Sequence, residues 1–141
     1  MTVTSEATTA WKGSLIEGSG TVSLVSSGLA TFDVDWKARS EGSTGITTPE
    51  ELLAAAHSSC FSMEFSSQLA KNGTPPESIE TTASVTFQKG VGITGSHLNV
   101  NAVVPGISPE DFERLAENAR SGCPVSRALA GIDITLEATL A

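Results

Sequence analysis

The chain has 141 residues, 39% of them hydrophobic and 17% charged, which is the composition of one globular domain spanning residues 1–141. With 5% aromatics and no Tyr, its core must be built mainly from Ala, Val, Leu and Ile. Eight Lys and Arg against sixteen Asp and Glu leave a net charge of −8, which repels phosphate backbones and anionic lipid and so excludes nucleic acid and membrane surfaces as partners.

Met1–Ala10 is Thr-rich with Glu6 as its only charged side chain, and lacks the basic and apolar stretches of a secretory signal. No apolar run approaches the roughly 18 residues of a bilayer span, so a cytoplasmic protein is expected. Ala7–Glu17 is mixed, with Trp11, Leu15 and Ile16. Gly18 and Gly20 predict a turn, Thr21–Ser26 alternates, Ser27-Gly28 turns again, and Leu29–Lys37 alternates through Phe32, Val34 and Trp36. This reads as a three-stranded meander with one wet face. A polar loop, Ala38–Ile46, then holds Arg39 and Glu41.

Thr48, Pro49, Glu50 and Glu51 supply an N-cap, a proline suited to the first helical position and two acids for the positive first turn. The spacing predicts a helix through Leu52, Leu53, Ala56, Cys60, Met63 and Leu69 to Lys71, stopped at Asn72-Gly73. From Leu52 to Met63 the helix carries no Asp, Glu, Lys or Arg, so it is expected to be buried on most sides, by its own domain or by a partner chain. After Pro75-Pro76, Ile79–Lys89 and Ile93–Val104 alternate as strands across a glycine turn. Ser108-Pro109-Glu110-Asp111 starts a helix through Phe112, Leu115 and Ala119, ending near Gly122. Cys123-Pro124 opens a short helix, Val125–Ala130, and Ile132–Leu140 alternates as a last strand. The order βββ-α-ββ-αα-β describes an α+β fold with sheets wrapped around a central helix.

The two cysteines carry the chemical question, because a pair in a reducing compartment means chemistry, metal binding or nothing. Cys123, followed by proline, is the expected N-cap of its helix, where free N–H groups favour a thiolate. Cys60 sits mid-helix, either as an inert small hydrophobe or as a thiol with room around it among alanines and serines. His57 reads three ways: as a base for Cys60, as a ligand in an incomplete metal set, or as a hydrogen-bonded core residue. His97 reads as structural or exposed. A persistent thiolate needs a cation, and the candidates are Arg127, four residues past Cys123, and Arg39, which Glu50 or Glu51 could hold by a bidentate pair.

The run Thr48-Pro49-Glu50-Glu51-Leu52-Leu53-Ala54-Ala55-Ala56-His57-Ser58-Ser59-Cys60-Phe61-Ser62-Met63 resembles the signature of the OsmC/Ohr superfamily, the osmotically inducible and organic hydroperoxide resistance proteins. Val104-Pro105-Gly106-Ile107 and Gly122-Cys123-Pro124-Val125-Ser126 resemble its second block. His57, where the other branch carries Tyr, and Arg39, with no arginine before it, match the OsmC branch; Ser40 departs from the usual aromatic there.

The resemblance implies a thiol-dependent peroxidase acting on organic hydroperoxides and, less efficiently, on hydrogen peroxide. By matching positions, Cys60 is the attacking thiol, Cys123 the resolving thiol that closes a Cys60–Cys123 disulfide, Arg39 the stabilising cation and Glu50 its carboxylate partner. It also implies antiparallel sheets around the long helix and an intertwined homodimer, with a dithiol reductant (a lipoylated protein or a low-molecular-weight thiol) and neither metal nor cofactor. Leu53, His57, Phe61 and Met63 are expected to line the substrate pocket. Two other readings of the cysteines stay open: a Cys60–His57 thiol hydrolase, and a redox-sensing dimer without turnover.

Overall fold

Alternation in the first quarter of the chain yields three strands, β1 (Ala7–Lys12), β2 (Ser19–Leu24) and β3 (Thr31–Val34), in a computed structural model that describes all 141 residues. They form one antiparallel sheet in the order β1-β2-β3. Gly20 lies inside β2 rather than in a turn. Its register partner is Trp11, and a Cβ there would come within 2.8 Å of both the Trp11 ring and the Ala10 carbonyl oxygen, so only glycine fits.

The expected strand through Lys37 stops at Val34, and the expected loop begins with a helix, α1 (Trp36–Glu41). Asp35 causes the change: its carboxylate accepts the Ala38 N–H at 2.7 Å and caps the first turn. Gly42, at φ 85°, closes α1 by donating its N–H to the Ala38 carbonyl. Arg39 lies in the last turn of α1 and is half-buried. These elements form one compact unit, Met1–Pro49; the second is Glu50–Ala141.

The long helix α2 (Pro49–Lys71) falls where the sequence places it. At its end the Gly73 N–H bonds the Ala70 carbonyl and the Thr74 N–H the Leu69 carbonyl, with Gly73 at φ 83°. Burial is one-sided. Glu50, His57, Phe61, Phe65 and Leu69 form a buried stripe at helical spacing, whereas Ala55, Ala56, Ser59 and Met63 face outward. The lack of charge therefore does not bury the helix on most sides within one chain.

Behind α2 follow β4 (Ser78–Gln88), β5 (Gly92–Val103), α3 (Pro109–Gly122), α4 (Pro124–Ala128) and β6 (Asp133–Leu140). The second sheet has the order β4-β5-β6. β4 and β5 pair antiparallel, but β5 and β6 pair parallel, which corrects the expectation of purely antiparallel sheets. The chain reaches β6 through α3 and α4, the kind of long helical crossover that a parallel pair requires.

Alternation then assigns the faces of this sheet. Leu98, Val100 and Ala102 of β5, with Ile79, Ala83, Ile134, Leu136, Ala138 and Leu140 beside them, share one core with α2 and α3. The other face is polar, and there His97 pairs with Thr135 through Nδ1 at 2.6 Å. Three aromatics join the helices: Phe61 and Phe65 lie 5.6 Å apart between ring centroids, and Phe65 meets Phe112 edge-on at 5.4 Å. No helix is long and apolar enough to cross a membrane.

Candidate active site

Helix α2 presents Cys60 one turn after His57, and the turn between α3 and α4 presents Cys123. Cys123 caps α4 as its sequence predicts: the Ser126 N–H donates to its sulfur at 3.3 Å. Pro124 at the first helical position leaves the following N–H groups free, and the Val125 N–H bonds the Cys60 sulfur. Cys60 and Cys123 are free thiols in hydrogen-bonding contact with each other, although 62 residues lie between them in the chain. Cys123 is fully buried, and Cys60 is half-buried against the core.

The environment of Cys60 opposes ionisation. Burial raises its pKa most, while the hydrogen bond to Cys123 and the charges of Cys123 and Glu64 raise it further. Only the Val125 N–H acts in the other direction. A Cys60 nucleophile at neutral pH therefore calls for a cation beyond these groups.

His57 has no exposed surface. Its Nδ1 lies 2.6 Å from Ser96 Oγ on β5 and its Nε2 lies 2.7 Å from Ser126 Oγ on α4. Burial lowers its pKa, so the ring is neutral at neutral pH. Ser96 and Ser126 escaped the sequence reading as partners, because they sit 39 and 69 residues away. Ser126 does fall inside the second motif block, which was the only signal for it.

The remaining candidates lie on α1 and α2. Glu50 is buried in the first turn of α2, where the positive helix end favours a carboxylate. Arg39 belongs to α1 of the first unit. Leu53 is half-buried, Phe61 is wholly inside the core and Met63 is 73% exposed. No three His, Cys, Asp or Glu side chains converge to hold a metal ion.

A family model described as OsmC-like protein matches residues 21–137. The chain is 41% identical over 140 residues to the peroxiredoxin OsmC of Escherichia coli, covering 97% of this chain and 96% of that one. It is 31% identical over 96 residues to an organic hydroperoxide resistance protein-like 2 of Staphylococcus epidermidis, covering 66% of this chain and 68% of the relative. Among solved structures, an OsmC-like protein from Mycoplasma pneumoniae superposes with a TM-score of 0.73 over 99% of both chains, at 16% identity, which is a likeness of fold. Two sulfurs brought together by the residues of both motif blocks agree with the match along the sequence: the chain belongs to the OsmC-like protein family.

Proposed function

We infer that the chain is a thiol-dependent peroxidase that reduces organic hydroperoxides to alcohols in defence against oxidative stress. The observation that carries this reading is the contact between the Cys60 and Cys123 thiols beside the start of α4. The Cys60 thiolate attacks the terminal peroxide oxygen, the O–O bond breaks, and the alkoxide leaves and takes a proton to become the alcohol. Cys60 is left as a sulfenic acid. Cys123 attacks that sulfur, a disulfide forms and water departs. A dithiol then exchanges with the disulfide and restores both thiols, which suits a cytoplasmic setting.

Arg39 is assigned the stabilising cation and Glu50 its orienting carboxylate, from the motif match and from the need that Cys60's surroundings create. Leu53 and Met63 are assigned to the wall that receives the alkyl group, with Phe61 and His57 behind it. The test is steady-state consumption of cumene hydroperoxide with a dithiol by the wild-type chain. No turnover would overturn the reading, and oxidation of Cys60 without turnover would favour a redox sensor. The thiol hydrolase is disfavoured by the histidine itself, since serines engage both ring nitrogens.

The active form is proposed to be an intertwined homodimer. In the first sheet only Val22 is buried, and a three-stranded sheet needs more cover than that. Trp11, Leu15, Ile16 and Leu29 are exposed, as is Met63 on the uncharged face of α2. Light scattering on the purified protein is expected to give twice the 14.5 kDa chain mass, and a monomer at micromolar concentration would contradict this.

A further inference from the structure

His57 is the one buried titratable side chain for which the peroxidase cycle above has no chemical task. The direction of its hydrogen bonds is set by which ring nitrogen carries the proton. The Cys123 thiol donates to Ser126 Oγ at 3.3 Å. In the tautomer that carries its proton on Nδ1, His57 accepts the Ser126 hydroxyl proton at Nε2, 2.7 Å away. Its Nδ1–H then donates to Ser96 Oγ at 2.6 Å. In this tautomer the hydrogen bonds lead from Cys123 through Ser126 to His57 and on to Ser96.

Resolution poses a problem that this chain of bonds answers. Cys123 must lose its proton to attack, yet it has no surface exposed to water. We propose that His57 is the proton acceptor for the resolving thiol, taking the Cys123 proton through the Ser126 hydroxyl as Cys123 attacks the Cys60 sulfenic acid. This rests on the peroxidase reading. The Cys123–Cys60 S–S bond forms and the Cys60 S–O bond breaks with its electron pair leaving on oxygen. Cys123 sulfur is oxidised and Cys60 sulfur reduced, both to the disulfide level. The departing hydroxide takes a proton from solvent at half-buried Cys60 and leaves as water. The imidazolium returns its proton through Ser126, which lines a cleft of about 460 Å³ with Arg120 and Arg127. The balance is one water and one disulfide.

The ring suits the task. Burial keeps it neutral, and no charged group contributes to that shift. The titratable and charged groups nearest to it along the packed elements are Cys60 and Glu50 on α2, Cys123, and Arg127 next to Ser126 on α4. A purely structural histidine would need only two hydrogen bonds, which a glutamine also offers. His57 acts through another side chain, so it is a positioning residue with a proton to hold.

The test separates the two half-reactions. Purified wild type, His57→Gln, Ser126→Ala and Ser126→Thr are mixed rapidly with one equivalent of cumene hydroperoxide. Dimedone capture reads sulfenic acid, and thiol loss with mass shift reads disulfide. Both His57→Gln and Ser126→Ala are expected to slow disulfide formation by about a hundredfold, with only a few-fold change in sulfenic acid formation, the usual scale for losing a proton acceptor. Ser126→Thr, which keeps the hydroxyl, is expected to restore most of the rate. In wild type the resolution rate is expected to fall with decreasing pH through an inflection below the ordinary imidazole range, absent from Ser126→Ala. Disulfide formation within threefold of wild type in folded Ser126→Ala, or no such inflection in wild type, would overturn the proposal even if His57→Gln does not fold. Wild-type Cys60 that forms no sulfenic acid would instead overturn the peroxidase reading on which it rests.

Discussion

Cumene hydroperoxide consumption by Cys60→Ser is expected to fall to the rate of the buffer and dithiol alone. The substitution removes one sulfur and puts in an oxygen of similar shape at a half-buried site of α2, so the fold should survive. What disappears is the nucleophile. A serine hydroxyl is not ionised near neutrality, and His57 is hydrogen-bonded to Ser96 and Ser126 rather than to position 60. Circular dichroism alongside a peroxide assay checks both halves of the expectation. Retention of more than a tenth of wild-type turnover in a folded Cys60→Ser protein would remove Cys60 from the reaction.

Arg39→Ala is expected to lose about 10²–10³-fold in kcat/KM at pH 7, the scale of removing one preorganised charge from a reacting centre. The reason lies in the surroundings of Cys60. Burial, Cys123 and Glu64 all push its pKa up, and one backbone N–H pulls it down. A thiol with a raised pKa ionises more as pH rises. The deficit of Arg39→Ala should therefore shrink towards alkaline pH, as hydroxide does what the guanidinium did. Arg39→Lys keeps the charge without the planar fork and should fall between the two. A loss that is the same at every pH would mean that Arg39 serves the peroxide rather than the thiolate. No loss would remove it from the site.

Most of the fold was legible in local chemistry. Caps and prolines placed α2, α3 and α4 to within a residue or two, because Pro49, Ser108-Pro109 and Cys123-Pro124 each answer the same problem of free N–H groups at a helix start. Helix α1 escaped because Asp35 fits two patterns. It is the outward residue of an alternating strand and also a side chain able to cap Ala38, and only the three-dimensional setting chooses the cap. The direction of β6 escaped because alternation is blind to whether a strand runs parallel or antiparallel. The clue was the length of helix between β5 and β6. The charge-free stretch of α2 allows cover by its own domain or by a partner chain, and within one chain Ala55, Ala56 and Ser59 stay exposed.

The site was legible in its sulfurs and hidden in its support. Each cysteine announced itself through its neighbours, proline after Cys123 and small residues around Cys60. Ser96 sits in an alternating strand as one more inward position, and nothing local says that an imidazole waits opposite it. A histidine on an otherwise apolar helix stripe does say that polar partners must exist, because burying it bare would cost several kcal/mol. It does not say which ones.

The most direct measurement is intact mass and peptide mapping of the wild-type chain after one equivalent of organic hydroperoxide, under non-reducing conditions. The account predicts a chain lighter by two hydrogens, with Cys60 and Cys123 of the same polypeptide joined in a disulfide that a dithiol reverses. In Cys123→Ser the same treatment should leave Cys60 as sulfenic acid, climbing to sulfinic acid with excess peroxide. A wild-type chain that gains oxygen on Cys60 while Cys123 stays a free thiol would contradict the account.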